Sequence, residues 1–323
     1  MARKAPGKHY RKGLSLIELT RMFPDDETAK AWIEKVRWPA GPACPRCGSD
    51  NIQRNGKHKT MDHRCRSCRK WFTVRTGTIM QASNLGYQTW VLASYLLTTG
   101  LKGAASMKLH RDLGITQKSA WHLAHRIREA WTETDGNPLF GGPVEVDESY
   151  FGGREKNKHA DKKLRAGRGP VGKTAVVGAR DRKTNAVVAK AVARTGKGTL
   201  QGFVRRHTPP GASVYTDEAT AYKGMPFDHE AVNHSAGEYI RGQAGINGME
   251  SFWSTMKRGY KGIYHKMSPK HLNRYVTEFA SRHNDREFDT IDQMEEIVFG
   301  MEGKRLRYAD LIADNGLDSG ARA

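Results

Sequence analysis

The stretch Val144-Glu-Val-Asp-Glu-Ser-Tyr-Phe151 decides how the rest of the chain is read. Its β-branched and aromatic residues predict a β-strand. Yet that strand carries Glu145, Asp147 and Glu148. Side chains alternate between the faces of a strand, so Glu145 and Asp147 share one face. A carboxylate in an apolar strand needs a basic neighbour or a metal ion to offset its desolvation.

Downstream, Thr174-Ala-Val-Val-Gly-Ala-Arg180 and Ala186-Val-Val-Ala-Lys-Ala-Val-Ala193 read as two more strands, joined by the turn Asp181-Arg-Lys-Thr-Asn185. A helix follows at about Thr199 to Arg206, ended by Pro209-Pro210-Gly211. Ser213-Val-Tyr-Thr216 is a short fourth strand and Phe227 to Asn233 a fifth. Helices are expected at about Met249–Tyr260 and Pro269–His283. The section from about Gly142 to Asn284 is therefore α/β: three strands, a helix, two strands, then helices.

Two further acids stand out in that order. Asp217 comes directly after the fourth strand, and Glu250 lies on the next helix. Met249, Phe252, Trp253, Met256 and Tyr260 form that helix's apolar face, leaving Glu250, Ser254 and Lys257 on another. Carboxylates from two strands and a helix suit a pair of Mg²⁺ ions, which take hard oxygen ligands and can hold both oxygens of an in-line phosphoryl displacement. Singly, each acid has a plainer reading: Asp147 paired with a basic neighbour, Asp217 a helix cap, Glu250 on the surface. Their joint placement favours the metal reading.

Upstream, Cys44-Pro-Arg-Cys47 and Cys65-Arg-Ser-Cys68 are two CxxC turns with 17 residues between them. Such turns supply the four thiolates of a tetrahedral zinc site. The hairpin-like Asn51 to Lys57 and the strand from Trp71 complete a zinc ribbon with one structural Zn²⁺. A ribbon this small needs its metal to fold. His63 is not needed as a ligand, and Lys57, His58, Lys59, Arg64, Arg66, Arg69 and Lys70 surround the site with phosphate-binding potential.

Before the ribbon, Leu14, Ile17, Leu19 and Met22 fall at helical spacing. Ala29, Trp32, Ile33 and Val36 form the face of a helix from about Asp26. After it, about Tyr87 to Trp131 is helical, with a turn at Gly114 and a new helix capped by Thr116. That is the pattern of a helix-turn-helix, although a plain helical hairpin reads alike. If the second helix enters a major groove, Gln117, Lys118, His122 and Arg126 are its DNA contacts.

The 323 residues carry a net charge of +20, with a pI near 9.9. Such a surplus fits a polyanionic partner, nucleic acid first. Asp285 to Ala323 holds ten acids against five bases, so the surplus belongs to the body of the chain. The glycine-rich loop Gly152 to Lys173 has eight Lys or Arg against two acids. Lys158, Lys162, Lys163 and Arg165 are expected there on a phosphate backbone, although charge runs are usually solvated. No apolar run reaches the roughly 18–20 residues of a membrane span, and the basic N-terminus lacks the apolar stretch of a signal peptide. A cytoplasmic, nucleoid-associated protein with no membrane partner is expected.

CPRC…CRSC, VEVDESYFGGREKNKH, GRGPVGKTAVVGA, VYTDEATAY and INGMESFWSTMKRGYKGIYHKMSPKHLNRYVTEFASRHNDR together resemble the ISXO-like insertion-sequence transposases. The resemblance covers about Cys44 to Arg286. It implies a zinc ribbon followed by a ribonuclease H-like catalytic domain of the DDE type, with the 33-position spacing from Asp217 to Glu250 usual in that family. It implies that Asp147, Asp217 and Glu250 bind two Mg²⁺ (or Mn²⁺), with Lys257 and Arg258 beside the DNA. Some relatives carry Asn as third residue, so Asn247 stays open as a rival or assistant to Glu250. Transposon ends and target DNA become the partners, handled by a homodimer or higher homo-oligomer. The sections are then a basic arm with helices at 1–42, a zinc ribbon at 43–76, a helical DNA-binding region at 77–135, the catalytic domain at 142–286 and an acidic helical tail at 287–323. A zinc-ribbon regulator without catalysis and a nuclease that cuts without joining are the competing readings.

Overall fold

The computed structural model of the chain describes residues 11–54, 58–132, 140–153, 159–164, 170–217, 219–232 and 246–317. It divides into two compact units: Met1–Thr132 with Arg286–Ala313, and Glu133–Asp285 with Asp314–Ala323.

In the first unit, Ser15 and Glu18 form a reciprocal capping box that starts α1 (Leu16–Met22), and Asp25 caps α2 (Asp26–Arg37). α2 buries Ala29, Ile33 and Val36 as its spacing predicts. α1 departs from expectation: Leu19 and Phe23 are buried, while Ile17 is 64% exposed. A helix of two turns is too short for spacing to select its inner face. β1 (Ile52–Gln53), β2 (His63–Cys65) and β3 (Trp71–Phe72) form a small antiparallel sheet between and beside the CxxC turns. The helices α3 (Tyr87–Thr99), α4 (Ser106–Leu113) and α5 (Gln117–Ala130) follow. Gly114, in the left-handed region at φ 64°, ends α4, and the Thr116 hydroxyl accepts from Ser119 N–H to start α5.

The second unit holds β4 (Val144–Phe151), β5 (Thr174–Asp181), β6 (Val187–Val192), α6 (Lys197–His207), β7 (Ser213–Asp217), β8 (Asp228–Val232), α7 (Asn247–Gly259) and α8 (Pro269–Asn284). Its five strands run in the order β6-β5-β4-β7-β8. β5 is antiparallel to both β4 and β6, whereas β4, β7 and β8 are parallel, so the sheet is mixed. Phe151, Val176, Met249, Trp253 and Val276 fill a core on one face. Val144, Val146, Val177, Leu200 and Tyr222 fill another on the opposite face. With both faces covered, β4 is a central strand, which explains why Val144 and Val146 on one face and Phe151 on the other are all buried. The α/β reading of this section holds, with every expected strand and helix present to within about two residues.

The chain then returns to the first unit through α9 (Thr290–Phe299) and α10 (Tyr308–Ile312). Met294, Ile297, Val298 and Met301 share one core with Cys65, Phe72, Trp90, Leu123 and Ile127. The ribbon, the helical region and the tail, expected as separate sections, thus build one hydrophobic core. Among the described residues no helix is long and apolar enough to cross a membrane.

Candidate active site and metal centre

β4 and β7 pair over only two positions, Val144↔Val214 and Glu145↔Tyr215. Asp147 and Asp217 each lie two residues past the last pair. They occupy equivalent places where two parallel strands part at their carboxyl ends, the crevice in which open α/β sheets bind ligands. Glu148 N–H donates to Asp147 Oδ1 at 2.8 Å, and Ala219 N–H donates to Asp217 Oδ1 at 3.1 Å.

The helix bearing Glu250 is fastened to this place by residues that are not ligands. Asp147 pairs across the sheet with Gly178. A Cβ at Gly178 would lie 2.5 Å from Met249 Cε and 2.8 Å from the Trp253 ring, so only glycine admits α7 this close to the strand. Glu145, 3% exposed, accepts from Arg180 Nη1 at 3.0 Å, from Arg182 Nε at 2.8 Å and from Met249 N–H at 3.0 Å. Its carboxylate thereby ties β4 to the first turn of α7, where backbone donors are free and negative charge is favoured.

Asp147, Glu148, Glu250, Ser254, Lys257 and Arg258 line one cleft of about 420 Å³. Asn247, in the first turn of α7, is not among its lining residues. On the other side, carboxylate oxygens of Asp147, Glu148 and Asp217 lie within 4.8 Å of one another. A divalent cation with oxygens at ~2.1 Å needs them roughly 3–4 Å apart, so this donor set fits one. Burial pushes Asp147 up to about 6, with the charges of Asp217 and Glu250 adding to the rise. Burial likewise pushes Glu148 up to about 7, against the hydrogen bond donated by the Tyr222 hydroxyl. Glu148 was legible only as a neighbour of Asp147, because alternation sends it to the opposite face of β4. Among the described residues that edge of β4 has no strand partner past Glu145 on the β7 side, so both acids reach the crevice.

The four cysteines converge as their spacing predicts. Cys44 Sγ is 3.6 Å from Cys68 Sγ, and Cys47 Sγ is 3.6 Å from Cys65 Sγ. Tetrahedral Zn²⁺ with Zn–S of ~2.3 Å sets sulfurs ~3.8 Å apart, so the residues fit a zinc ion. Gly48 and Arg69, the residues just after each CxxC, both have left-handed backbone, at φ 72° and 59°. His63 stands apart from the four sulfurs, packed on Trp38 and Phe72. Because Cys44 and Cys65 belong to the shared core, Cys65→Ser should loosen the first unit beyond the ribbon and leave the second folded. Elemental analysis should find one zinc per chain, and hydrogen exchange should report the spread. Zinc-free protein with unchanged protection would refute it.

The residues expected on DNA have diverse surroundings. Gln117 and Lys118 are exposed at the start of α5, with Gln117 Nε2 donating to Ser106 Oγ and Lys118 Nζ over the Tyr308 ring. His122 is half-buried against the Leu306 carbonyl oxygen. Arg126 is 6% exposed, donates to the Gln81 carbonyl and sits over Trp90. A groove-reading face would therefore be confined to the first turn of α5, because the structure uses Arg126 inside its own unit. Arg258 is exposed and lines the carboxylate cleft. Of the basic loop, Lys163 is exposed. Lys162 ends the short turn Ala160–Lys162 with its side chain outside the described residues, where Lys158 and Arg165 also lie.

Residues 139–284, which hold the carboxylate cleft, match the ISXO2-like transposase domain. Residues 24–71, which hold all four cysteines, match the transposase zinc-ribbon domain. The chain is also 26% identical over 281 residues to the uncharacterized protein in transposable element ISH50 of Halobacterium salinarum, a match covering 81% of this chain and 92% of the relative. Two separate domain matches, each enclosing the cluster its own geometry builds, agree with a relative from a mobile element. In these two stretches the chain is similar to the insertion-sequence transposases that carry an ISXO2-like transposase domain.

Proposed function

We propose that the chain cuts DNA at the ends of its insertion sequence and joins the freed ends to target DNA, with Asp147, Asp217 and Glu250 as ligands of two Mg²⁺ or Mn²⁺ ions. The carrying observation is the equivalent placement of Asp147 and Asp217 beyond the last β4–β7 pair, with the helix of Glu250 alongside. The sheet order, third-second-first-fourth-fifth with only the second strand reversed, supports the ribonuclease H-like reading. When bound, two such ions would supply positive charge that stabilises the attacking oxygen on one side of phosphorus and the leaving oxygen on the other.

Asp147 belongs to both groups of acids, with Glu250 on one side and Asp217 on the other, and so serves as the shared ligand. Glu148, held by Tyr222, is a further oxygen donor on the Asp217 side. Ser254, Lys257 and Arg258 face the same cleft from α7 and hold the phosphodiester against the acids. Gln117 and Lys118 are the base-reading candidates of a helix-turn-helix, and Lys163 and the exposed arginines of the ribbon are phosphate contacts. Handling two ends calls for two copies of the site, hence a homodimer or higher homo-oligomer on DNA.

Nicking and joining of a duplex carrying the element's terminal repeat, with and without Mg²⁺, tests the reading. Binding without nicking would make the protein a regulator, and nicking without joining a nuclease. Glu250→Gln should abolish both steps, whereas Asn247→Ala should leave most activity. The reverse result would give Asn247 the third position.

Proton linkage gives an independent check. A carboxyl with a raised folded pKa is more protonated folded than unfolded. The acid cluster therefore costs the metal-free protein stability as pH rises from about 4 through about 7. Mg²⁺ takes the deprotonated form, so its gain in Tm should grow between about pH 5 and 8. A gain flat across that range would exclude Asp147 and Glu148 as ligands.

A further inference from the structure

A second cavity, of about 520 Å³, adjoins the carboxylate cleft and shares Glu148, Lys257 and Lys261 with it. Its size is within the ~300–1,000 Å³ usual for small-molecule sites. Its lining differs in kind from the acid cleft. Tyr150, Phe151 and Tyr260 give it aromatic surface, and Lys173 adds another cation. Tyr150 is 38% exposed although it lies on the central strand, because β4 there has run past its pairing with β7. α7 does not stop at Gly259 but continues as a π turn, Tyr260–Tyr264, which carries Lys261 to the wall shared by both cavities. The expected helix end at Tyr260 hid this lysine.

Aromatic surface beside lysines is the pairing that single-stranded nucleic acid uses, bases on rings and phosphates on cations. We propose that this cavity takes one unpaired base of the DNA strand whose phosphate lies in the acid cleft, stacked on Tyr150, with Lys257 and Lys261 on the phosphates between. The inference rests on the transposase mechanism proposed above. It adds a base-holding site that fixes the register of the strand against Asp147. A base can reach the cavity only by leaving its pair, which is easiest for a mismatched one.

Binding is measured without divalent metal, on the terminal-repeat duplex either fully paired or mismatched at its outermost pair. The parent should bind the mismatched duplex roughly tenfold tighter. Tyr150→Ala should lose that preference, and Tyr150→Phe should keep it. With 5-iodouracil at the mismatch, ultraviolet light should cross-link the unaltered protein at the peptide holding Tyr150. Equal affinity of the parent for both duplexes, a preference surviving in Tyr150→Ala, or a cross-link outside the cavity would each overturn the proposal. Mg²⁺-dependent cleavage of the paired duplex is run in parallel. Cleavage without a mismatch preference removes only the base site, whereas neither binding nor cleavage removes the transposase mechanism with it.

Discussion

Asp147→Asn and Asp217→Asn should each slow end cleavage and strand transfer on the order of a thousandfold or more, comparable to losing a key electrostatic stabiliser at a reacting oxygen. An amide keeps the shape of the carboxylate and one oxygen, but not the charge that a divalent ion needs. On the mechanism proposed above both steps should fall together, because a single acid cluster would serve both. Affinity for end DNA should not fall, since removing an acid from the cleft lowers repulsion with phosphate. Gel-shift titration beside single-turnover cleavage separates the two quantities. Retention of cleavage within about tenfold in either variant would remove that aspartate from the reaction.

Glu145→Ala should cost the second unit about 3–5 kcal/mol, the usual penalty for removing one partner of a buried ion pair. Glu145 stands nearly out of water between Arg180, Arg182 and the Met249 N–H. Its loss removes the one acceptor shared by Arg180 Nη1, Arg182 Nε and the Met249 N–H. Gly248 makes the site intolerant of repair by bulk, since a Cβ there would fall 1.9 Å from Arg180 Nη1. Urea unfolding followed by hydrogen exchange in α7 gives the magnitude. Glu145→Gln, which still accepts from Met249 N–H, should recover part of it. A loss under about 1 kcal/mol would mean that α7 is held by its apolar face alone.

The strands and the acids at their ends were legible because they are local: alternation marks β4, and Asp217 directly follows its strand. The convergence of the four cysteines was legible for the same reason, since each CxxC turn fixes its own sulfurs. What brings α7 to the acids was not, because Gly178 and Glu145 act on residues about 70 and 100 positions away. Glu145 was read only as sharing a face with Asp147, and no periodicity says that it ends on a helix N-terminus. α5 shows the opposite failure. Its basic residues promised an open face, but burial of Arg126 under Gln81 and Trp90 comes from chain far outside the helix. Local pattern says which residues share a face, and only packing says whether that face stays open.

The return of α9 to the first unit has a consequence for synthesis. The N-terminal unit leaves the ribosome first, yet its core lacks Met294, Ile297, Val298 and Met301 until nearly all the chain has followed. The unit emerging later holds all its strands in one continuous segment and can finish first. A nascent chain thus completes its cleft before the ribbon-bearing unit closes. A stop codon near position 286 should spare the acid cleft and cripple the unit at the opposite end of the sequence.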